Sequence, residues 1–264
     1  MLQKRAGKGV MSMIIDSHSH YNDNRFRKDC LDILNDLKNH KVEKIINVGY
    51  DLDSSERAVQ LAIENEMVYA TVGFHPGDVS KCDDLALSRM IALSKEEKVV
   101  AWGEIGLDYH YDDIDKELQK AVFQKQMEIA RELKLPVCIH TRDAMADTLE
   151  IVKKIQNPGV FHCYSGSLEV AKELVKIGYY ISFSGTVTYK NAKNVKEVAK
   201  WIPSDKYLIE TDCPYLSPEP VRGTRNDSRN LIYTAEHIAE LRNVSVEQVI
   251  RETTENTKRL FGIK

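Results

Sequence analysis

Eight short, β-rich apolar runs separated by amphipathic segments constrain this 264-residue chain more than any other feature. The runs are Ile14–Asp16, Lys44–Val48, Tyr69–Val72, Val99–Trp102, Pro136–Ile139, Val160–Phe161, Tyr179–Ser182 and Tyr207–Ile209. Between them, segments such as Leu118–Leu133 and Leu168–Ile177 repeat apolar residues at intervals of three and four, the spacing of one helix face. Gly178, directly after Lys176-Ile177, is a helix stop. Alternation of this kind predicts a parallel sheet, and eight rounds of it predict a closed (β/α)8 TIM barrel rather than an open sheet. Two further helical segments, Asn230–Leu241 and Val246–Phe261, would complete the outer ring. No linker rich in Gly, Ser or Pro interrupts the pattern, so residues 13–264 read as a single α/β domain. Met1–Ser12 is basic without the apolar stretch of a secretory signal, and is expected to be a disordered leader extension.

Composition matters for what it excludes. The net charge of −3 leaves no basic footprint for nucleic acid, so a polyanionic substrate would need bound cations to supply positive charge. The five cysteines are odd in number and form no CxxC pair, which argues against a disulfide framework and for a reducing, cytoplasmic setting. No apolar run approaches the roughly 20 residues of a membrane span. No exposed apolar stripe is evident, so a monomer without an obligate protein partner is expected.

The polar residues at the strand ends carry the functional signal. His18 and His20 follow the first run, His75 the third and Glu104 the fourth. His140 ends the fifth, His162 ends the sixth, and Asp212 follows the eighth. In a parallel barrel these ends share one face, the face that carries barrel active sites. Imidazoles and carboxylates together are ligands for borderline cations. In Asp16-Ser17-His18-Ser19-His20, alternate spacing directs both imidazoles to one side while Ser17 and Ser19 turn away. Six ligands, His18, His20, Glu104, His140, His162 and Asp212, exceed what one ion takes if water and substrate also bind. Two divalent cations bridged by Glu104 fit the count, with zinc favoured by ligand type and magnesium, manganese or nickel as alternatives. His75, in Gly73-Phe74-His75-Pro76, reads as a phosphate contact rather than a ligand. His40, His110 and His237 read as structural or surface residues. Cys163 and Cys213 adjoin ligand positions but should face away, because strand neighbours point to opposite sides.

Six segments, in order, resemble the TatD family of metal-dependent deoxyribonucleases. They are Ile15–His20, Val72–Pro76, Gly103–Tyr109, Pro136–Arg142, Phe161–Gly166 and Glu210–Leu216, followed by Arg222-Gly223-Thr224-Arg225-Asn226. The resemblance runs from about Met13 to Gly262. It implies that His18, His20, Glu104 and Asp212 bind one metal and that Glu104, His140 and His162 bind the other. It also implies phosphodiester hydrolysis of DNA, often as a 3′-to-5′ exonuclease and sometimes at abasic sites. The chain departs from the pattern after Asn226, where Asp227-Ser228 replaces an acidic residue and proline. That loop is expected near the mouth, so the departure bears on substrate preference.

In the expected mechanism a metal-activated water attacks phosphorus, Asp212 relays its proton and Glu104 bridges the metals. His75, Arg142, Arg222 and Arg225 would contact substrate phosphate, since guanidinium pairs bidentately with it. The nearest rival is a metal-dependent hydrolase of a small phosphoester, lactone or amide. Relatives of that kind often bridge their metals with a carbamylated lysine, and no lysine lies near Glu104. A catalytically silent metal-binding barrel is the rival from another class.

Overall fold

A computed structural model describes residues 13–111 and 113–264; the expected leader, residues 1–12, lies outside the described residues. Eight strands occur in chain order: β1 Ile14–Ser19, β2 Val42–Val48, β3 Val68–Val72, β4 Val99–Asp108, β5 Val137–Arg142, β6 Gly159–Phe161, β7 Tyr180–Phe183 and β8 Tyr207–Ile209. Each pairs in parallel with the next, giving the spatial order β1 to β8. The ring closes through a single parallel bridge between Ser19 and Cys213, where Asp212 N donates to His18 O at 2.9 Å and His20 N to Cys213 O at 2.8 Å. The chain is the expected (β/α)8 barrel.

The helices among the described residues are α1 Cys30–Asp36, α2 Leu52–Glu64, α3 Asp84–Leu93, α4 Lys116–Leu133, α5 Met145–Lys154, α6 Leu168–Lys176, α7 Lys193–Trp201, α8 Leu231–Arg242 and α9 Val246–Phe261. None is long and apolar enough to cross a membrane. Several starts follow directly from capping chemistry. Asp51 accepts from Ser54 N in a capping box at α2, and Asp83, Ser167 and Ser245 accept at the starts of α3, α6 and α9. The apolar stripes of these helices pack on the outside of the barrel in one large core.

A second buried cluster takes Ile15, Val100, Cys138 and Tyr180 from the beginnings of their strands, Val160 and Leu208 from the middle of β6 and β8, and Ile46 and Val48 from the second half of β2. Leu260, Phe261 and Ile263, at the end of the chain, close it. The apolar filling thus occupies the N-terminal end of the barrel and leaves the opposite end for polar groups. Lys98 donates from Nζ to the carbonyls of Asn65, Glu66 and Val68 at 2.8–3.0 Å.

Three strands run further than their apolar residues suggest. β1 continues through His18 to Ser19, β5 through His140 to Arg142, and β4 through Glu104 to Asp108. Every residue of β4 is buried. Its register with β5 shifts between Trp102 and Ile105, so the irregularity falls at Gly103-Glu104. A bulge of this kind re-aims side chains beside functional sites. At Gly106, φ is +144° and a Cβ would meet His140 O at 1.9 Å, so only glycine lets β4 and β5 approach there.

Candidate active site

All six expected ligands converge at the C-terminal end of the barrel. His18 and His20 project from the end of β1 with their Nε2 atoms 3.1 Å apart. Ser17 and Ser19 turn elsewhere, donating to Ile209 O and Ile46 O. Glu104 lies between two groups of imidazoles. Its Oε1 faces His162 Nε2 at 2.8 Å and His140 Nδ1 at 3.0 Å. Its Oε2 faces His18 Nε2 at 3.6 Å and His20 Nε2 at 3.8 Å. Asp212, in the left-handed region at φ +56°, places Oδ1 3.3 Å from His20 Nε2 and 3.6 Å from His18 Nε2.

The outer nitrogens of three histidines fix what the inner ones can do. His20 Nδ1 donates to Val48 O at 2.9 Å, His140 Nε2 to Asp108 Oδ2 at 3.2 Å, and His162 Nδ1 to Glu210 Oε1 at 3.3 Å. In the neutral ring each donation leaves the inward nitrogen a bare lone pair. These lone pairs crowd against one another and against two carboxylates, a repulsive array unless a proton or a cation lies among them. Ligand histidines are tethered through their second nitrogen in this manner. His18 is the exception, since its buried Nδ1 has no partner. Three groups, His18/His162/Asp212, His18/His20/Glu104 and His75/Glu104/His140, each gather ligand atoms within 4.8 Å. The donor set therefore fits a divalent metal.

Electrostatics follow from the same contacts. Burial pushes the Glu104 carboxyl up, but His162, His75 and His140 outweigh it and hold the group well below its ordinary value. Burial opposes protonation of His162, yet Glu104 and Glu210 keep it well above the usual imidazole range. His20 and His140 are raised despite burial, by Asp212 and by Asp108 with Glu104 respectively. His18 is lowered by burial and by the neighbouring His162.

His75 behaves differently. It caps a 3-10 turn, and its Nδ1 accepts from Gly77 N at 2.9 Å. The neutral ring therefore carries its proton on Nε2, 3.8 Å from Glu104 Oε1. Burial pushes its pKa down to about 4.

The centre forms the floor of a cavity of about 1280 Å³. His75, Arg142 and Arg222 line it; Arg225 does not. Arg225 is instead tied to Asp29 and to Arg25 O, with its guanidinium over Phe26. The mouth also bears Tyr50, Tyr111, Tyr189 and Tyr215. Asp227 and Ser228, expected near the mouth, are buried. Ser228 Oγ donates to Asp16 Oδ2 at 2.6 Å and accepts from Tyr21 at 3.0 Å, so this departure joins the β8 loop to β1. Cys213 is buried and does not line the cavity. Cys163 is not turned away: β6 has already ended, φ is +43°, and the residue lines the cavity with Sγ 3.2 Å from Ser184 Oγ. His40, His110 and His237 lie outside the cavity lining and contact Asp36, Asp143 and Glu240. Sequence reasoning gave no role to Asp108 and Glu210, the carboxylates behind His140 and His162. Their signal was spacing, four residues after Glu104 and two before Asp212.

Comparison with known proteins agrees with this geometry. The family model of TatD-related DNases matches residues 15–262. YabD of Bacillus subtilis, described as an uncharacterized metal-dependent hydrolase, is 45% identical over 254 residues, covering 95% of this chain and 100% of its own. YcfH of Escherichia coli, described in the same words, is 38% identical over 256 residues, covering 95% and 96%. The crystal structure of YjjV, a TatD homolog from Escherichia coli, superposes with a TM-score of 0.91 at 30% identity, covering 96% of this chain and 100% of that one. A TatD-family hydrolase from Entamoeba histolytica shares the fold, with a TM-score of 0.87 at 21% identity and coverage of 95% and 99%. With its donor set and these likenesses together, the chain belongs to the TatD-related DNase family and is a metal-dependent hydrolase.

Proposed function

We propose that the chain is a phosphodiesterase that degrades DNA from 3′ ends, using two divalent cations held on either side of Glu104. His18, His20, Glu104 Oε2 and Asp212 would hold one; Glu104 Oε1, His140 and His162 would hold the other. The observation that carries this reading is that the two oxygens of one carboxylate face two separate imidazole sets, at 3.6 and 3.8 Å and at 2.8 and 3.0 Å. Zinc is favoured by the imidazole-rich set.

Bound there, the cations supply Lewis acidity that makes water nucleophilic near neutral pH and neutralises phosphate charge. The protein's own residues do the rest. Asp212 lies at the cavity surface and is held below its ordinary pKa by His20 and His18 despite burial, so it is charged and able to take the water's proton. His75, with its proton on Nε2, donates to a phosphate oxygen or to the departing alkoxide. Arg142 and Arg222 approach the substrate from the cavity wall. Arg225, committed to Asp29, has no part in this. A cavity of about 1280 Å³ rimmed by tyrosines supports an oligonucleotide over a small ester.

The test is hydrolysis of 3′-labelled single-stranded DNA by protein stripped of metal and re-supplied with Mg, Mn, Ni or Zn in turn. Stepwise metal-dependent loss of 3′ nucleotides, abolished in Glu104→Ala and Asp212→Ala with the fold retained, is the expected result. Full activity of either variant would overturn the assignment of these residues. Metal binding without DNA cleavage would move the substrate to a small phosphoester or amide.

A further inference from the structure

The cavity is not evenly charged around its wall. Asp78 and Asp108, with Arg142 beside Asp108, line the side next to β3, β4 and β5, whereas Lys190, Lys193 and Arg222 line the side formed by the loops after β7 and β8. Neither lysine has a carboxylate partner among the described residues. Arg222 touches Glu219 through one long contact of 3.4 Å, and its guanidinium stacks over Tyr189 at 4.2 Å. Tyr189 is anchored in turn by donating to Ser217 O at 3.0 Å, so the stack joins the two loops. Two lysines and a weakly paired arginine put net positive charge on one wall, which an anion bound there would balance. Loops after the seventh and eighth strands are also where barrels commonly hold phosphate.

The catalytic floor accounts for one phosphate only. It is built from Glu104, Asp212 and the histidines, which stand on or just after their strands, whereas the wall draws on the loop leading into α7 and on a part of the β8 loop ten residues beyond Asp212. A substrate with a single phosphodiester at the floor leaves the wall unmatched. A nucleotide strand carries a second phosphate one residue away. We propose that Lys190, Lys193 and the Arg222–Tyr189 stack form a second phosphate subsite, which takes a neighbouring, non-scissile phosphate of an oligonucleotide. The proposal rests on the phosphodiesterase reading of the centre and extends it to substrate length. The enzyme discriminates against diesters that lack a second phosphate, and its oligonucleotide binding weakens as salt rises because these lysines release counterions.

The double variant Lys190→Gln/Lys193→Gln tests this, both residues being exposed and free of packing roles. Two substrates are compared: the p-nitrophenyl ester of thymidine 5′-monophosphate, with one phosphate, and a fluorescent single-stranded oligothymidylate. In the variant, KM for the oligonucleotide should rise roughly tenfold, and the slope of log binding constant against log salt should flatten by about 0.7, the value for one phosphate contact on a single strand. Hydrolysis of the one-phosphate ester should change far less. A parallel fall on both substrates, or an unchanged KM and salt slope, overturns the subsite. If the wild type hydrolyses neither substrate, the phosphodiesterase reading itself has failed. Anisotropy titration of the oligonucleotide then still decides: weaker binding by the variant supports the subsite, and equal binding overturns it.

Discussion

Replacing Glu210 by glutamine separates metal affinity from folding at this centre. Glu210 is fully buried, and its Oε1 accepts from Cys163 N at 2.7 Å and from His162 Nδ1 at 3.3 Å, while Oε2 has no partner. Glutamine keeps the volume and can keep an oxygen at the Oε1 position, so Cys163 N stays bonded while the charge is lost and an amide NH2 replaces the unpartnered Oε2. His162 then loses one of the two carboxylates that hold its proton affinity up, leaving Glu104. A carboxylate that orients a ligand histidine is worth typically about 10- to 100-fold in metal affinity. The 3.3 Å contact is long for an N–H···O bond, which places the expected loss at about tenfold, or about 1.4 kcal/mol. Alanine at the same position would also leave a buried N–H unpaired, at a further cost of about 1–3 kcal/mol in stability. Competition against a zinc-binding dye reads the affinity, and melting in EDTA reads the stability. At pH 8, Glu210→Gln should weaken metal binding while lowering metal-free Tm less than Glu210→Ala, which also loses the bond to Cys163 N. Wild-type affinity in Glu210→Gln would refute the claim that this carboxylate sets the ligand behaviour of His162.

Three further outcomes are expected. His75→Ala should lower turnover about 10²-fold, within the range of a lost proton donor, while metal content measured by mass spectrometry stays at wild type; loss of metal would make His75 a ligand. Because carboxylates hold His20, His140 and His162 above the ordinary imidazole value, the metal-free ion pairs stabilise the fold below about pH 6.5 and lose that contribution as pH rises through the raised values. Cations must displace those protons, so the rise in Tm on adding zinc should be larger at pH 8 than at pH 6, and an equal rise would count against protons and metal sharing the site. Arg225→Ala should change Tm little, since its pair with Asp29 is over a third exposed, and it should leave DNA turnover unchanged in steady-state assays, whereas a large loss of activity would return Arg225 to the substrate.

The barrel and the converging ligands were readable in the sequence because apolar periodicity and polar strand ends are both local signals. The ends of the strands were less so. Glu104 reads as the residue after a strand, because a buried carboxylate breaks an apolar run. In the structure it sits inside β4 at a bulge, where opposed imidazoles make its burial tolerable. The carboxylates behind the histidines stayed silent for a related reason: Asp108 and Glu210 act only through a partner supplied by another strand. Arg225 shows the converse limit. Its neighbours in sequence gave it the look of a phosphate clamp, and only the fold brings Asp29, nearly 200 positions earlier, against its guanidinium. Cys163 escapes the alternation rule because it lies two residues past the end of β6.

The seam between β1 and β8 also governs when this protein becomes itself. The bridge from Ser19 to Cys213 is flanked on one edge by His18 and His20 and on the other by Asp212, so the donor set is shared between the earliest and the latest strands to be made. During synthesis the chain carries two histidines for most of its length with no carboxylate from β8 to meet them. A cation captured before that point would be held by an incomplete set and readily lost. On the proposed assignment, a cation between His18, His20 and Asp212 would gain its full donor set only when the last strand has met the first, whereas one at Glu104, His140 and His162 would not wait for that closure.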